Sequence, residues 1–201
     1  MHKNFRKNRK TVRQILNHHF DRFGKCDRIK TLASHLKMPT LFFEKKDEEK
    51  TMIPERLAAL REKMRAYGVD AYLVPTADYH ESEYVGTYFK ARTYITGFTG
   101  SAGTAVITQD EACLWTDGRY FVQAAKELAG TGVTLMKMGQ EGVPTVEEYL
   151  AANTKEGMTI GFDGRVVNEM LGEALEKTLP ERFLSYRSDL IGEIWSDRPA
   201  L

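Results

Sequence analysis

Five side chains have types and spacings that could do chemistry. Asp78, His80, Glu81 and Glu83 stand within six residues, and Arg119 follows an Asp-Gly pair at 117–118. The first four could ligate a cation or bind a polar group, but a metal site needs several such side chains converging from the fold. His80 is the one histidine after residue 50, and no HExxH or CxxC spacing occurs. A cluster of this kind is more often a solvated loop and helix cap. Ser82 and Ser101 sit in no nucleophile elbow, so a Ser-His-Asp set could run only through His80. Arg119 offers a planar fork of donors that suits a carboxylate or carbonyl; its other reading is a surface ion pair.

Gly97, Gly100 and Gly103 are spaced by threes. A glycine-rich turn can cradle phosphate, but this spacing fits neither the dinucleotide fingerprint nor the P-loop. The run also leads into a strand rather than a helix, so no helix N-terminus would face an anion. A tight turn is the better reading. Trp115, Tyr120 and Phe121 read as core.

The elements that must position these residues follow from periodicity. Thr104–Thr108 and Ala112–Thr116 are β-branched and aromatic runs around the polar turn Gln109-Asp110-Glu111, which predicts a hairpin. Asp117-Gly118 supplies a cap acceptor and a free backbone at the next junction, predicting a helix over 119–129 that opens at Arg119. That places Arg119 beyond the carboxyl end of a strand, where open α/β sheets hold their ligands. Before the hairpin, a helix opens near Pro54, with Leu57, Leu60, Met64 and Tyr67 on one face and Gly68 as its stop. Strands are predicted at 71–75 and 94–97, with a helix near 83–90 between them. After the hairpin come strands at 133–138, 159–162 and 183–186. Helices are predicted at 146–153, with the capping box Thr145/Glu148, at 168–179, and at 189–195. No internal repeat or low-complexity segment stands out. The alternation predicts an α/β fold: a mixed β-sheet with helices on both faces and one central β-hairpin.

Bulk properties bound the function. The 201 residues carry a formal net charge of +1, which hides an asymmetry. Residues 1–50 hold 14 Lys and Arg against 6 Asp and Glu, while 51–201 hold 15 against 22. The acidic part has no basic face for phosphates, so no nucleic-acid partner is expected. No apolar run approaches the ~20 residues that cross a bilayer, so no membrane association is expected. The two cysteines, Cys26 and Cys113, form no disulfide framework, and a cytoplasmic location is the expectation.

Three domain segments are expected: a basic, disordered extension at 1–51, an α/β domain at 52–196, and the start of a linker at 197–201. The extension could instead be a basic nucleic-acid arm or a targeting peptide. Glu48-Glu49 ahead of Met52 also fits a purine-rich ribosome-binding run, which would make Met52 the true start.

Five segments carry a family resemblance: HESEY (80–84), ITGFTGSAGTAVIT (95–108), LWTDGRYFVQAAKEL (114–128), LMKMG (135–139) and IWSDRP (194–199). Together, over about 53–199, they resemble the N-terminal domain of Xaa-Pro aminopeptidases, in the creatinase/prolidase metallopeptidase family. The last two segments resemble the longer, cytosolic, three-domain type. The resemblance implies a non-catalytic domain that contributes to a homodimer and walls the cleft in which residues preceding proline are removed from peptides. It implies two divalent ions, usually manganese, held on a C-terminal domain beyond the matched stretch. This stretch is thus left with no cofactor, no metal ligand and no catalytic residue, and is expected to be inactive alone. It also implies peptide contacts by Arg119, Glu83 and His80. For Glu83 a first-turn helix acid is the competing reading. The alternative function is a stand-alone interaction module that pairs with a full-length peptidase.

Overall fold

A computed structural model describes residues 41–186 and 189–201, with side chains from residue 50. The chain divides between Lys46 and Asp47, and the fold below is that of Asp47–Leu201. The expectations for residues 1–40 lie outside the described residues.

Helix α1 spans Leu41–Tyr67, so the helix predicted to open at Pro54 starts earlier and carries that proline inside it. Residues 41–51, grouped in sequence with the extension, belong to this helix. Ile53, Leu57, Leu60 and Met64 recur every three or four residues and are buried, giving α1 one continuous apolar face. Strand β1 (Ala71–Pro75) follows. A 3-10 turn at Thr87–Phe89 leads to α2 (Ala91–Thr96), and β2 (Thr104–Thr108) and β3 (Ala112–Thr116) form the expected hairpin. The remaining elements are α3 (Phe121–Glu127), β4 (Thr134–Lys137), α4 (Val146–Asn153), β5 (Thr159–Phe162), α5 (Glu169–Thr178), β6 (Phe183–Ser185) and α6 (Leu190–Ile194).

The six strands form one mixed sheet in the order β4-β3-β2-β1-β5-β6. β2 is antiparallel to both neighbours; the pairs β1/β5, β3/β4 and β5/β6 are parallel. Five strands therefore point the same way, and their carboxyl ends share one rim. Each face carries its own core. Tyr72, Val74, Ala105, Ile107 and Leu114 pack with α1, α2, α3 and α6. Their sheet neighbours Leu73, Val106, Cys113, Trp115 and Ile160 pack with α4 and α5. Alternate residues of one strand serve opposite cores, as expected for a sheet covered on both sides.

Two further elements differ from the sequence reading. Residues 94–97, predicted as a strand, are the end of α2, which closes on Gly97 in the left-handed conformation (φ 76°). Only a residue without Cβ enters that region at no steric cost. The helix predicted over 83–90 is confined to the 3-10 turn, so Glu83 lies in loop and not in a helical first turn.

Candidate functional site

The rim of strand carboxyl ends collects the candidate residues. β1 exits into the loop carrying Asp78, His80, Glu81 and Glu83, and β3 exits into Asp117-Gly118-Arg119. Arg119 sits in the turn ahead of α3. Asp117 does not cap that helix as expected. Its Oδ1 accepts from the Arg119 backbone N–H at 3.0 Å and from Arg119 Nε at 2.9 Å, and its Oδ2 accepts from Nη2 at 2.9 Å. This bidentate pairing lowers the Asp117 carboxyl pKa and raises that of the guanidinium. The Arg119 side chain nevertheless stays 62% exposed, and its Nη1 lies 3.9 Å from Glu83 Oε1. Arg119 is thus fixed in orientation on one edge and open on the other. Its Cζ also lies 5.2 Å from the centre of the Tyr120 ring.

The structure brings Glu83 to Arg119 and places His80 three residues earlier on the same loop, exposed. Asp78 is committed to the loop itself. Its Oδ1 accepts from the His80 and Ser82 backbone N–H groups at 2.8 and 3.0 Å, which lowers its pKa. The backbone reverses at Glu81, at φ 57°. Among the described residues no group of three or more His, Cys, Asp or Glu could hold a metal ion.

The glycine-rich loop 97–103 is held from within by a residue that sequence reasoning missed. Arg92, on α2, is 3% exposed. Its Nε donates to Thr76 Oγ1 at 2.7 Å, Nη1 to Phe98 O at 2.9 Å, and Nη2 to Gly100 O. Burial pulls its pKa down to about 10, still well above neutrality, so it keeps its charge. Thr116 Oγ1 donates to Ala102 O at 2.7 Å, and Thr76 Oγ1 to Gly103 O at 2.8 Å. The Thr99 N–H donates to Glu127 Oε2 at 2.9 Å. Four of the loop's carbonyls and the Thr99 N–H are thus engaged inward.

A second arginine on the rim was also missed. β5 exits into Asp163-Gly164-Arg165, the same tripeptide that follows β3. The geometry repeats with it. Asp163 Oδ1 accepts from the Arg165 backbone N–H at 3.0 Å and from Nε at 2.8 Å, and Oδ2 accepts from Nη2 at 2.8 Å. Arg165 Nη2 also donates to Asp189 Oδ2 at 2.6 Å, and Asp189 is held in turn by Arg198 Nη1. Tyr88, Asp163, Arg165, Tyr186, Asp189 and Arg198 line an open cavity of about 520 Å³. The signal was a repeated DGR tripeptide at two strand exits.

Family membership rests on both sequence and fold. Residues 56–194 match the creatinase/prolidase N-terminal domain, and the chain belongs to that family. It is 41% identical over 159 residues to aminopeptidase P2 of Arabidopsis thaliana, covering 76% of this chain and 22% of that protein. It is 45% identical over 150 residues to a probable Xaa-Pro aminopeptidase P of Talaromyces marneffei, covering 73% and 23%. Among solved structures it resembles the X-prolyl aminopeptidase of Caenorhabditis elegans, with a TM-score of 0.69 and 37% identity over 74% of this chain and 26% of that one. That protein is described as a cytosolic enzyme with a di-nuclear active site. A Streptococcus thermophilus aminopeptidase P structure shares the fold at a TM-score of 0.55 and 24% identity. The chain spans about a quarter of the length of the curated relatives it matches. Among the described residues no helix is long and apolar enough to cross a membrane.

Proposed function

We propose that this domain walls the peptide cleft of a metal-dependent Xaa-Pro aminopeptidase, with Arg119 as its peptide contact. The observation that carries the reading is a guanidinium clamped by Asp117 yet open to solvent, with Glu83 beside it. Arg119 donates to a peptide carbonyl or carboxylate; Glu83 orients the arginine or accepts from an amine, and His80 flanks them. The hydrolytic centre, two divalent ions of which manganese is the expected identity, belongs to polypeptide outside the matched domain. The working protein is a cytoplasmic homodimer acting on peptides with proline in second position, without nucleic-acid or membrane partners. Names of relatives from a plant, a fungus and a nematode support the peptidase class.

The test is a titration of the isotope-labelled chain with unblocked Ala-Pro-Ala, followed by NMR. The Arg119 Nε–H resonance is expected to move, and Arg119→Gln to weaken binding at least tenfold, the value of one hydrogen bond to a charged group. An unmoved Arg119 resonance at saturating peptide refutes the reading.

A further inference from the structure

Two βαβ units flank the middle of this sheet. β3-α3-β4 runs outward to one edge and β5-α5-β6 outward to the other. Their helices lie on opposite faces: Ala124 and Leu128 of the α3 segment enter one core, and Leu175 of α5 enters the other. Open α/β sheets hold ligands outside the carboxyl ends of strands, where crossovers leave on opposite faces. Here that place in the topology is the rim between the β3 and β5 exits. A DGR arginine stands at each end of it, Arg119 and Arg165, and β1, which lies between those two strands, exits into the loop that carries Glu83.

Both arginines are built the same way. Each lies two residues after an aspartate that binds its backbone N–H, Nε and Nη2, and each keeps an exposed side chain, 62% for Arg119 and 45% for Arg165. In each, Nη1 is the terminal nitrogen turned away from the clamping aspartate. It lies 3.9 Å from Glu83 Oε1 in one case and donates to Tyr88 OH at a long 3.4 Å in the other. Arg165 additionally borders the 520 Å³ cavity, which has room for several atoms of a ligand. Its charges balance, with Arg165 and Arg198 against Asp163 and Asp189. A balanced site of this kind suits a dipolar main chain better than a free anion.

We propose that Arg165 is a second peptide-binding residue, contacting an acceptor oxygen of the same extended peptide that Arg119 holds. The inference rests on the cleft-wall reading above and adds a length requirement to it. β3 and β5 are separated by β2 and β1, so three strand spacings put their exits about 14 Å apart. An extended chain rises roughly 3.3 Å per residue, so about four residues bridge that gap. Peptides of five or six residues reach both arginines, and tripeptides reach one. The acceptor is either an internal carbonyl or the terminal carboxylate.

The experiment is a length series of unblocked Ala-Pro-(Ala)n peptides from three to six residues, titrated into the labelled chain and read at the arginine Nε–H resonances. Arg119 is expected to respond at every length, and Arg165 only from about five residues. Affinity is expected to rise about tenfold between three and six residues, and Arg165→Gln or Arg165→Lys to abolish that rise. The wild-type length series stands whether or not these variants fold. Amidated six-residue peptides separate the two acceptors: equal affinity assigns an internal carbonyl, and a loss assigns the terminal carboxylate. A response at Arg119 with none at Arg165 for the six-residue peptide overturns this inference and leaves the cleft-wall reading standing. Silence at both arginines overturns both.

Discussion

Arg92 engages Phe98 twice: its Nη1 donates to the Phe98 carbonyl at 2.9 Å, and its guanidinium carbon lies 4.7 Å from the centre of the Phe98 ring. One buried cation thus fixes both backbone and side chain of the residue that opens the glycine-rich loop. Arg92→Met is expected to leave the Phe98 and Gly100 carbonyls without their donor, at about 1–3 kcal/mol each. A fall of roughly 10 °C in melting temperature follows from that sum for a domain of this size, and calorimetry measures it. A fall of under 3 °C would contradict the loop's dependence on Arg92.

The glycines of this chain divide by what a Cβ would meet. At Gly103 it would lie 2.8 Å from the Trp115 carbonyl oxygen, a backbone atom of the paired strand. Gly103→Ala must push the hairpin apart and is expected to cost about 1–3 kcal/mol. At Gly172, inside α5, nothing lies within 4 Å. Gly172→Ala is expected to stabilise by about 0.5–1 kcal/mol, through the helix preference of alanine. Denaturant midpoints of the two variants should move in opposite directions.

Tyr72 makes the fold sensitive to alkali. Its hydroxyl accepts from the Leu190 N–H at 3.1 Å, and burial raises its pKa above the ordinary value of about 10. The native state therefore holds this proton more tightly than the unfolded chain. The resulting stability is fully present below pH ~10 and is lost as pH rises through the native pKa. Tyr72→Phe should be about 1 kcal/mol less stable at pH 7, because Leu190 loses an acceptor, and should show a flatter decline above pH 10. An identical alkaline slope in both proteins would exclude Tyr72 as the source.

Asp117 orients Arg119 and does not itself reach for substrate. Asp117→Asn removes the bidentate carboxylate and frees the guanidinium to sample other rotamers, at about 0.5–1.5 kcal/mol of ordering on binding. Peptide affinity is expected to fall a few-fold, well short of the loss in Arg119→Gln. In the wild type the same weakening should appear only at pH below the ordinary carboxylate range, because the Asp117 pKa is lowered, and should be absent in Asp117→Asn.

The hairpin Thr104–Thr116 is legible in the sequence, because two apolar runs flank a polar turn and both strands are buried. The cap of α4 is legible for a similar reason: Thr145 needs only local partners. The segment 94–97 is not. Its Tyr-Ile-Thr run favours a strand locally, and what makes it helical is tertiary: Arg92, four residues before Thr96, is anchored in the core, and Thr96 Oγ1 donates back to the Arg92 carbonyl. Arg119 was legible from its place after an apolar strand. Arg165 was open to the same argument, because it follows the apolar strand 159–162 in the same DGR tripeptide, but the network that makes it notable, with Asp189 and Arg198, comes from distant sequence.

The reversed direction of β2 places the hairpin turn on the side of the sheet away from both DGR arginines. Asp110, exposed at the tip of that turn, therefore offers a tethering point. A cysteine-linked dye or biotin installed there would fasten the protein to a chip by its blunt end, so that immobilisation leaves the rim carrying Arg119 and Arg165 turned toward solution.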